Sequence, residues 1–408
     1  MKARQNSPPR PPELDLLLLC SRWPLRPEDS HLIREQSSRP LDWQRFLLLV
    51  QHHRLVPLVS HNLHASLASP QTPQQQFTLA QLRELASSNA FQSLRCLAEL
   101  RRVVQEFQAH HLSVRVLKGL PLAQSVFGDL AMRSAGDLDL LIDSSSILQA
   151  DRILRAFGYR GLFHVDRFSP RRLAFYRTHW KDLAYANPST NFEVDLHWRC
   201  FRNSHMPGAA LCATPNHATV SFGSFQVATL PPMEDLLYLC VHGTLDGWLF
   251  LKSLVDVAAQ VRTMTEPQLE ALAALAAAYK ILPELSATLI LIRRYLAIDH
   301  WSAHLLPESH PTVAHILLYA ARSLVGGNFL AGRDAIPIAS TLAFEVGLRR
   351  GFRYRLELLL RVLFRARMWQ TIPLPDLLFP LYPLLSPLEW LLYRLRRPTP
   401  PENEQRTA

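Results

Sequence analysis

Asp137-Leu138-Asp139-Leu140 alternates acidic and apolar residues, and the run closes on Leu141-Ile142. A period of two is the mark of a strand, whose successive side chains point to opposite faces. Leu138 and Leu140 therefore need an apolar layer on one side. Asp137 and Asp139 project together on the other. Two adjacent carboxylates repel, so they favour a divalent cation between them, and Mg²⁺ prefers such oxygen ligands. Phe192 to Trp198 repeats the pattern: Phe192, Val194 and Leu196 share one face, and Glu193, Asp195 and His197 share the other. Asp195 supplies a third carboxylate on a rigid strand. Such a set can hold two metals, one serving an attacking oxygen and one serving the phosphates of a nucleoside triphosphate.

The residues before this strand fit phosphate chemistry. Val114 to Lys118 is a β-branched run, Gly119 follows, and Leu122 to Gly128 reads as a short helical stretch. Glycine lets backbone approach a phosphate, a helix start offers free N–H groups, and Lys118 adds a point charge. Arg133 is a further cation close to the acidic pair. Lys is scarce in this chain: Lys2, Lys118, Lys181, Lys252 and Lys280 are all there are. The net charge of +10 is carried by Arg.

The two acidic strands sit in a middle third with its own texture. A helix is expected from Ile147 towards Gly158, capped by Ser144 or Ser145. The runs around Lys181 to Asn187 and Asn191 to Trp198 form a hairpin about Pro188, Ser189 and Thr190. Before and after, apolar residues recur at three- and four-residue spacing, which predicts helices. The expected fold class is α+β: a small mixed β-sheet core flanked by N-terminal and C-terminal helical regions. The expected segments are a disordered leader (1–12), an N-terminal helical region (13–111), the α+β core (112–230), a helical domain (231–330) and an Arg-rich, Pro-interrupted C-terminal region (331–408).

Composition removes several classes. An apolar fraction of 48% with 19% charged residues describes a folding chain. Five Cys without a CxxC pair rule out a disulfide scaffold and argue against a structural zinc site, and the expectation is reduced, buried thiols. No signal peptide or spanning segment is read, since Leu377 to Tyr393 is broken by Pro380, Pro383 and Pro387. The chain is read as a cytoplasmic, bacterial-style protein. Phe344 to Ala408 carries eleven Arg against six acidic residues. Packing on the core is the first reading of that tail, membrane-surface contact the second and nucleic-acid contact the third, with no firm sign of nucleic acid.

The stretch Leu117 to Asp143, with its LKG turn, downstream Arg and GDLDLLI strand, followed by VDLHW, resembles the uncharacterised nucleotidyltransferase family. This is a bacterial branch of the DNA-polymerase-beta-like superfamily. The lead-in from Asp42 to Leu63 and the LCVHG…WLFLKSLVDVA segment are similar as well. The resemblance implies an Mg²⁺-dependent enzyme that moves a nucleoside monophosphate from an NTP to an acceptor, with two ions. By position, Asp137 and Asp139 match the paired metal ligands and Asp195 matches the third acid. The turn departs from the wider superfamily: Lys118-Gly119-Leu120-Pro121 replaces Gly-Ser, and the gap to Asp137 is longer.

Around these residues stand further candidates for nucleotide contact. Lys118 and Gly119 would hold the triphosphate, with Arg133 beside them. Lys181 is expected in the hairpin strand, reaching phosphates from the sheet. His197 would orient Asp195 or touch substrate. Asp143 is expected to cap a helix. His242, Lys252 and Asp256 lie in the following helical stretch, with Lys252 and Asp256 one turn apart and expected to pair. The acceptor (a sugar, small molecule, peptide or protein) is left open. Two rivals are a metal-dependent glycosyltransferase using Asp137 and Asp139, and a non-catalytic module docking to a membrane or a biosynthetic complex. The helical residues before the acidic pair, where a βαβ series would be needed, count against the first. The intact carboxylate set counts against the second.

Overall fold

The computed structural model describes residues 10–67, 72–134, 136–299, 301, 305–325, 338–364, 368–369, 372 and 374–385. Its centre is one seven-stranded mixed sheet, so the expected α+β class is found. The strands are β1 (Val114–Leu117), β2 (Asp137–Ile142), β3 (Arg160–Gly161), β4 (Asp182–Asn187), β5 (Phe192–His197), β6 (Ala218–Phe222) and β7 (Phe225–Thr229), in the order β3-β4-β5-β2-β1-β7-β6. β2 runs antiparallel to β1 and parallel to β5, and this pairing sets Asp139 opposite Asp195.

The N-terminal helices are α1 (Pro12–Cys20), α2 (Pro27–Ser37), α3 (Trp43–His52), α4 (Val56–Ser66) and α5 (Pro73–Ala109). Pro12, the last residue of the expected leader, opens α1 as a first-turn proline. α5 is one helix of 37 residues, started by Thr72, whose hydroxyl accepts from the Gln75 amide. It spans two cores. Leu79 and Leu82 belong to the helical core, while Leu100, Val103 and Phe107 pack with Leu138 and Leu140 under the sheet.

Within the sheet region lie α6 (Gly119–Leu122), α7 (Ile147–Ala156) and α8 (Pro170–His179). Asp143 caps the turn before α7 by accepting from the Ser145 amide at 2.7 Å. After the sheet come α9 (Pro232–Leu245), α10 (Leu251–Val261), α11 (Glu266–Ala278), α12 (Leu282–Leu296), α13 (Pro311–Val325), α14 (Ile338–Leu348) and α15 (Phe352–Leu363). The described part of the tail packs on the protein: Trp369, Phe379 and Tyr382 are buried in the sheet-side core. Residues 386–408 of the expected C-terminal region lie outside the described residues. Among the described residues no helix is long and apolar enough to cross a membrane.

One expectation is corrected. Cys200 and Cys212 are disulfide-paired, because the loop after β5 brings their Cα atoms to 5.6 Å, within bridging distance. Cys20, Cys96 and Cys240 are free and buried, as expected.

α10 is gripped at both ends by the N-terminal helices. At its far end Arg262 donates to Asp29 at 2.6 Å, and Arg22 holds the other oxygen of that carboxylate at 2.9 Å. At its start the Leu251 amide donates to His53 Nδ1 at 3.3 Å. That bond requires a neutral ring with its proton on Nε2. Burial, then the neighbouring His52, pushes His53 down to about 3. His53 stays neutral in the fold, whereas the unfolded chain protonates it near 6.5. Unfolding therefore takes up a proton below that pH, and stability falls as pH drops. At pH 5 the loss reaches up to about 2 kcal/mol from this one ring. Thermal melting between pH 7.5 and 5 should show the decline, and His53→Gln should flatten it. An unchanged slope in the variant would remove His53 from the account.

Candidate active site

The acidic face of β2 and β5 floors a cavity of about 750 Å³. Asp139 is buried at 5% exposure, Asp195 is half-buried and Asp137 is exposed at the start of its strand. β4 continues this face, because its register places Asp182 beside His197. Asp137, Asp139, Asp182 and Asp195 thus line the cavity from one side of three neighbouring strands. Burial, then the carboxylates of Asp139, Asp182 and Asp137, pushes Asp195 up to about 7.

One cation and an imidazole answer Asp139. Lys118 Nζ lies 3.2 Å from its Oδ1, and His197 Nε2 lies 3.0 Å from the same oxygen. Burial opposes a charge here, yet Lys118 and His197 hold Asp139 well below the usual carboxylate range. Lys118 also loses hydration, yet Asp139 holds it above the usual lysine range. His197 is fully buried, and burial together with Lys181 lowers its proton affinity. Its bond goes to Asp139, which corrects the expectation that it orients Asp195. The reason is the parallel register, which puts His197 beside Leu141, two residues past Asp139.

Lys118 sits at φ +49 and Gly119 at φ +53. For a lysine that conformation costs of order 1–3 kcal/mol, and such strain gathers at functional sites. A Cβ on Gly119 would meet the Asp137 carbonyl only at 3.9 Å, so the glycine serves the backbone angle and not space. Across the cavity Lys118 Nζ lies 3.2 Å from His242 Nε2, whose Nδ1 is 3.3 Å from Asp246. Burial, then Lys118, pushes His242 down to about 3, so a neutral ring accepts from the ammonium.

The other candidates take different places. Arg133 is buried and makes a two-pronged pair with Asp256, Nε to Oδ1 and Nη2 to Oδ2 both at 2.9 Å. Its Nη1 donates to the Gly119 carbonyl at 3.1 Å, tying the KG turn to α10. Lys252 does not pair with Asp256, which corrects that expectation; Arg133 holds the carboxylate and Lys252 donates to the Ser134 carbonyl at 2.7 Å. Burial, then Arg133, pushes Lys252 down to about 7. Lys181 stands just before β4, not within it, and pairs with Asp182 at 2.9 Å. Lys118, Gly119, Arg133, Asp137, Asp139, Lys181, Asp195 and Lys252 all line the one cavity, and His197 supports it from behind Asp139.

Sequence reading missed Asp182, Asp246, Arg54 and the wall formed by Thr341, Glu345, Tyr354 and Arg361. Asp182 was within reach: a hairpin about residues 188–190 aligns it with His197. The wall had no local signal.

Asp139, Asp195 and His197 bring ligand atoms within 4.8 Å of one another. The oxygen-rich set, with Asp195 burdened by neighbouring negative charge, fits a hard divalent cation. Asp137 lies on the same face but outside that group. Carboxylates on rigid strands beside a lysine-glycine turn offer the positioning and charge neutralisation that phosphoryl chemistry asks of a protein. The model of the uncharacterised nucleotidyltransferase family matches residues 39–297, and the chain belongs to that family. No curated protein matches the chain, and no solved structure matches it.

The Arg133–Asp256 pair makes a prediction. Arg133→Met leaves Asp256 buried and unpaired and should cost about 3–5 kcal/mol. The double variant Arg133→Met/Asp256→Leu should regain much of that loss. Denaturant unfolding of the single and double variants checks this, and equal losses in both would contradict it.

Proposed function

We propose that the protein transfers a nucleoside monophosphate from an NTP to the hydroxyl or amine of an acceptor, releasing pyrophosphate. The observation that carries this reading is the register of β2 against β5, which sets Asp139 beside Asp195 at the floor of the cavity. Asp137, Asp139 and Asp195 would hold Mg²⁺, with two ions as the expected number. When bound there, the metal supplies positive charge that neutralises the phosphate oxygens and favours in-line displacement.

The chain's own residues do the rest. Lys118 and the Gly119 backbone hold the triphosphate, with Arg133 fixing the turn from behind. His197 keeps Asp139 oriented through its Nε2 proton. Asp195 takes the proton from the acceptor. The acceptor oxygen or nitrogen forms its bond to the α-phosphorus, and the bond from that phosphorus to the bridging oxygen of the β-phosphate breaks. Pyrophosphate leaves with the electron pair. Lys181, paired with Asp182, lines the side of the cavity nearest Asp195 and His197.

Calorimetry with each of the four NTPs, with and without Mg²⁺, tests the assignment. The expected result is binding that needs Mg²⁺ and weakens at least tenfold in Asp137→Asn/Asp139→Asn. Binding indifferent to both aspartates, or no NTP binding by the wild type, would sink the assignment.

A further inference from the structure

Charge within the cavity pairs off unevenly. Lys118 is held by Asp139, Lys181 by Asp182, Arg133 by Asp256 and Arg361 by Glu345. Four further groups stand at two poles. Asp137 and Asp195 take no hydrogen bond from a described residue and form the acidic pole. Arg54 and Lys252 have no carboxylate within ion-pair reach among the described residues, and they form the cationic pole.

Three chain segments build that second pole. Arg54 ends the turn after α3 at φ +58, and its guanidinium lies 4.3 Å over the Phe250 ring. Stacking fixes the plane of the guanidinium without using its N–H donors. Phe250 is the residue before α10, and Lys252 follows two residues on. Lys252 spends one hydrogen on the Ser134 carbonyl at 2.7 Å, which leaves two. The Ser134 hydroxyl donates to the Arg54 carbonyl at 3.4 Å, closing the group. Burial, then Arg133, lowers the proton affinity of Lys252; Asp256 and Asp137 raise it, and Arg54 lowers it further. Two cations on one cavity wall, neither in ion-pair reach of a carboxylate among the described residues, make a seat for an anion.

Resting on the nucleotidyltransferase reading, we infer that Arg54 and Lys252 seat the terminal phosphates of the bound nucleotide. The ligand class is a polyphosphate carrying a divalent cation: its metal faces Asp137, and its far phosphates face the cationic pole. The N-terminal helical region then completes the site and selects triphosphate over monophosphate. Lys118, tied to Asp139, is left for the phosphates nearest the acids.

The test compares wild type, Arg54→Gln and Lys252→Met, each as the full chain with an unchanged melting temperature. Affinity is measured with Mg²⁺ for the best-binding NTP and, by competition, for its monophosphate. Each variant should lose about tenfold or more for the NTP, the effect of one charge-assisted contact, and little for the monophosphate. Arg54→Lys should recover part of the loss, which separates charge from fold. Equal losses for both nucleotides, or unchanged NTP affinity, would overturn the inference and leave the nucleotidyltransferase reading standing. A wild type that binds no NTP would overturn both.

Discussion

Asp139 and Asp195 lie side by side because β2 and β5 run parallel in a fixed register. A buried carboxylate is costly without a partner, so the surrounding structure answers this one pairing. Lys118 and His197 both bond the same oxygen of Asp139. Asp195 receives no such help and is left with a raised proton affinity. The site is thus an imbalance held by rigid strands, and a cation is what the imbalance lacks.

The helices serve that arrangement from outside. α10 carries Asp256 against Arg133, and Arg133 in turn holds the Gly119 carbonyl. The same helix is bonded to Asp29 at one end and to His53 at the other. The N-terminal helices therefore reach the KG turn through a chain of hydrogen bonds: Asp29 and His53 to α10, Asp256 to Arg133, Arg133 to Gly119. This linkage explains how a strained Lys118 keeps its place at φ +49.

Much of this was legible in the sequence because strands advertise themselves by alternation. Asp137 to Ile142 and Phe192 to His197 were read with their acidic faces correct, and the hairpin turn between β4 and β5 fell where Pro188, Ser189 and Thr190 stand. Asp143 was read as a cap and caps the turn before α7, but neither Ser144 nor Ser145 caps α7 as expected, because that turn puts Ser146 at its N-cap position. The β6–β7 hairpin went unread, since its short strands alternate weakly and are partly exposed. Partner choice was also out of reach. Lys252 and Asp256 have good helical spacing, but Arg133, more than a hundred residues away, takes the carboxylate with two bonds. Cys200 and Cys212 pair through a loop fold that no spacing rule foretells.

The central claim is that the chain moves the α-phosphorus of a nucleotide. The direct measurement uses NTP labelled at either the α- or the γ-phosphorus, incubated with the protein, Mg²⁺ and a small-molecule extract. The account predicts that α-label passes to an acceptor, that γ-label appears as pyrophosphate, and that Asp139→Asn abolishes both. Transfer of the γ-label to an acceptor, or label transfer that survives loss of Asp139, would contradict it.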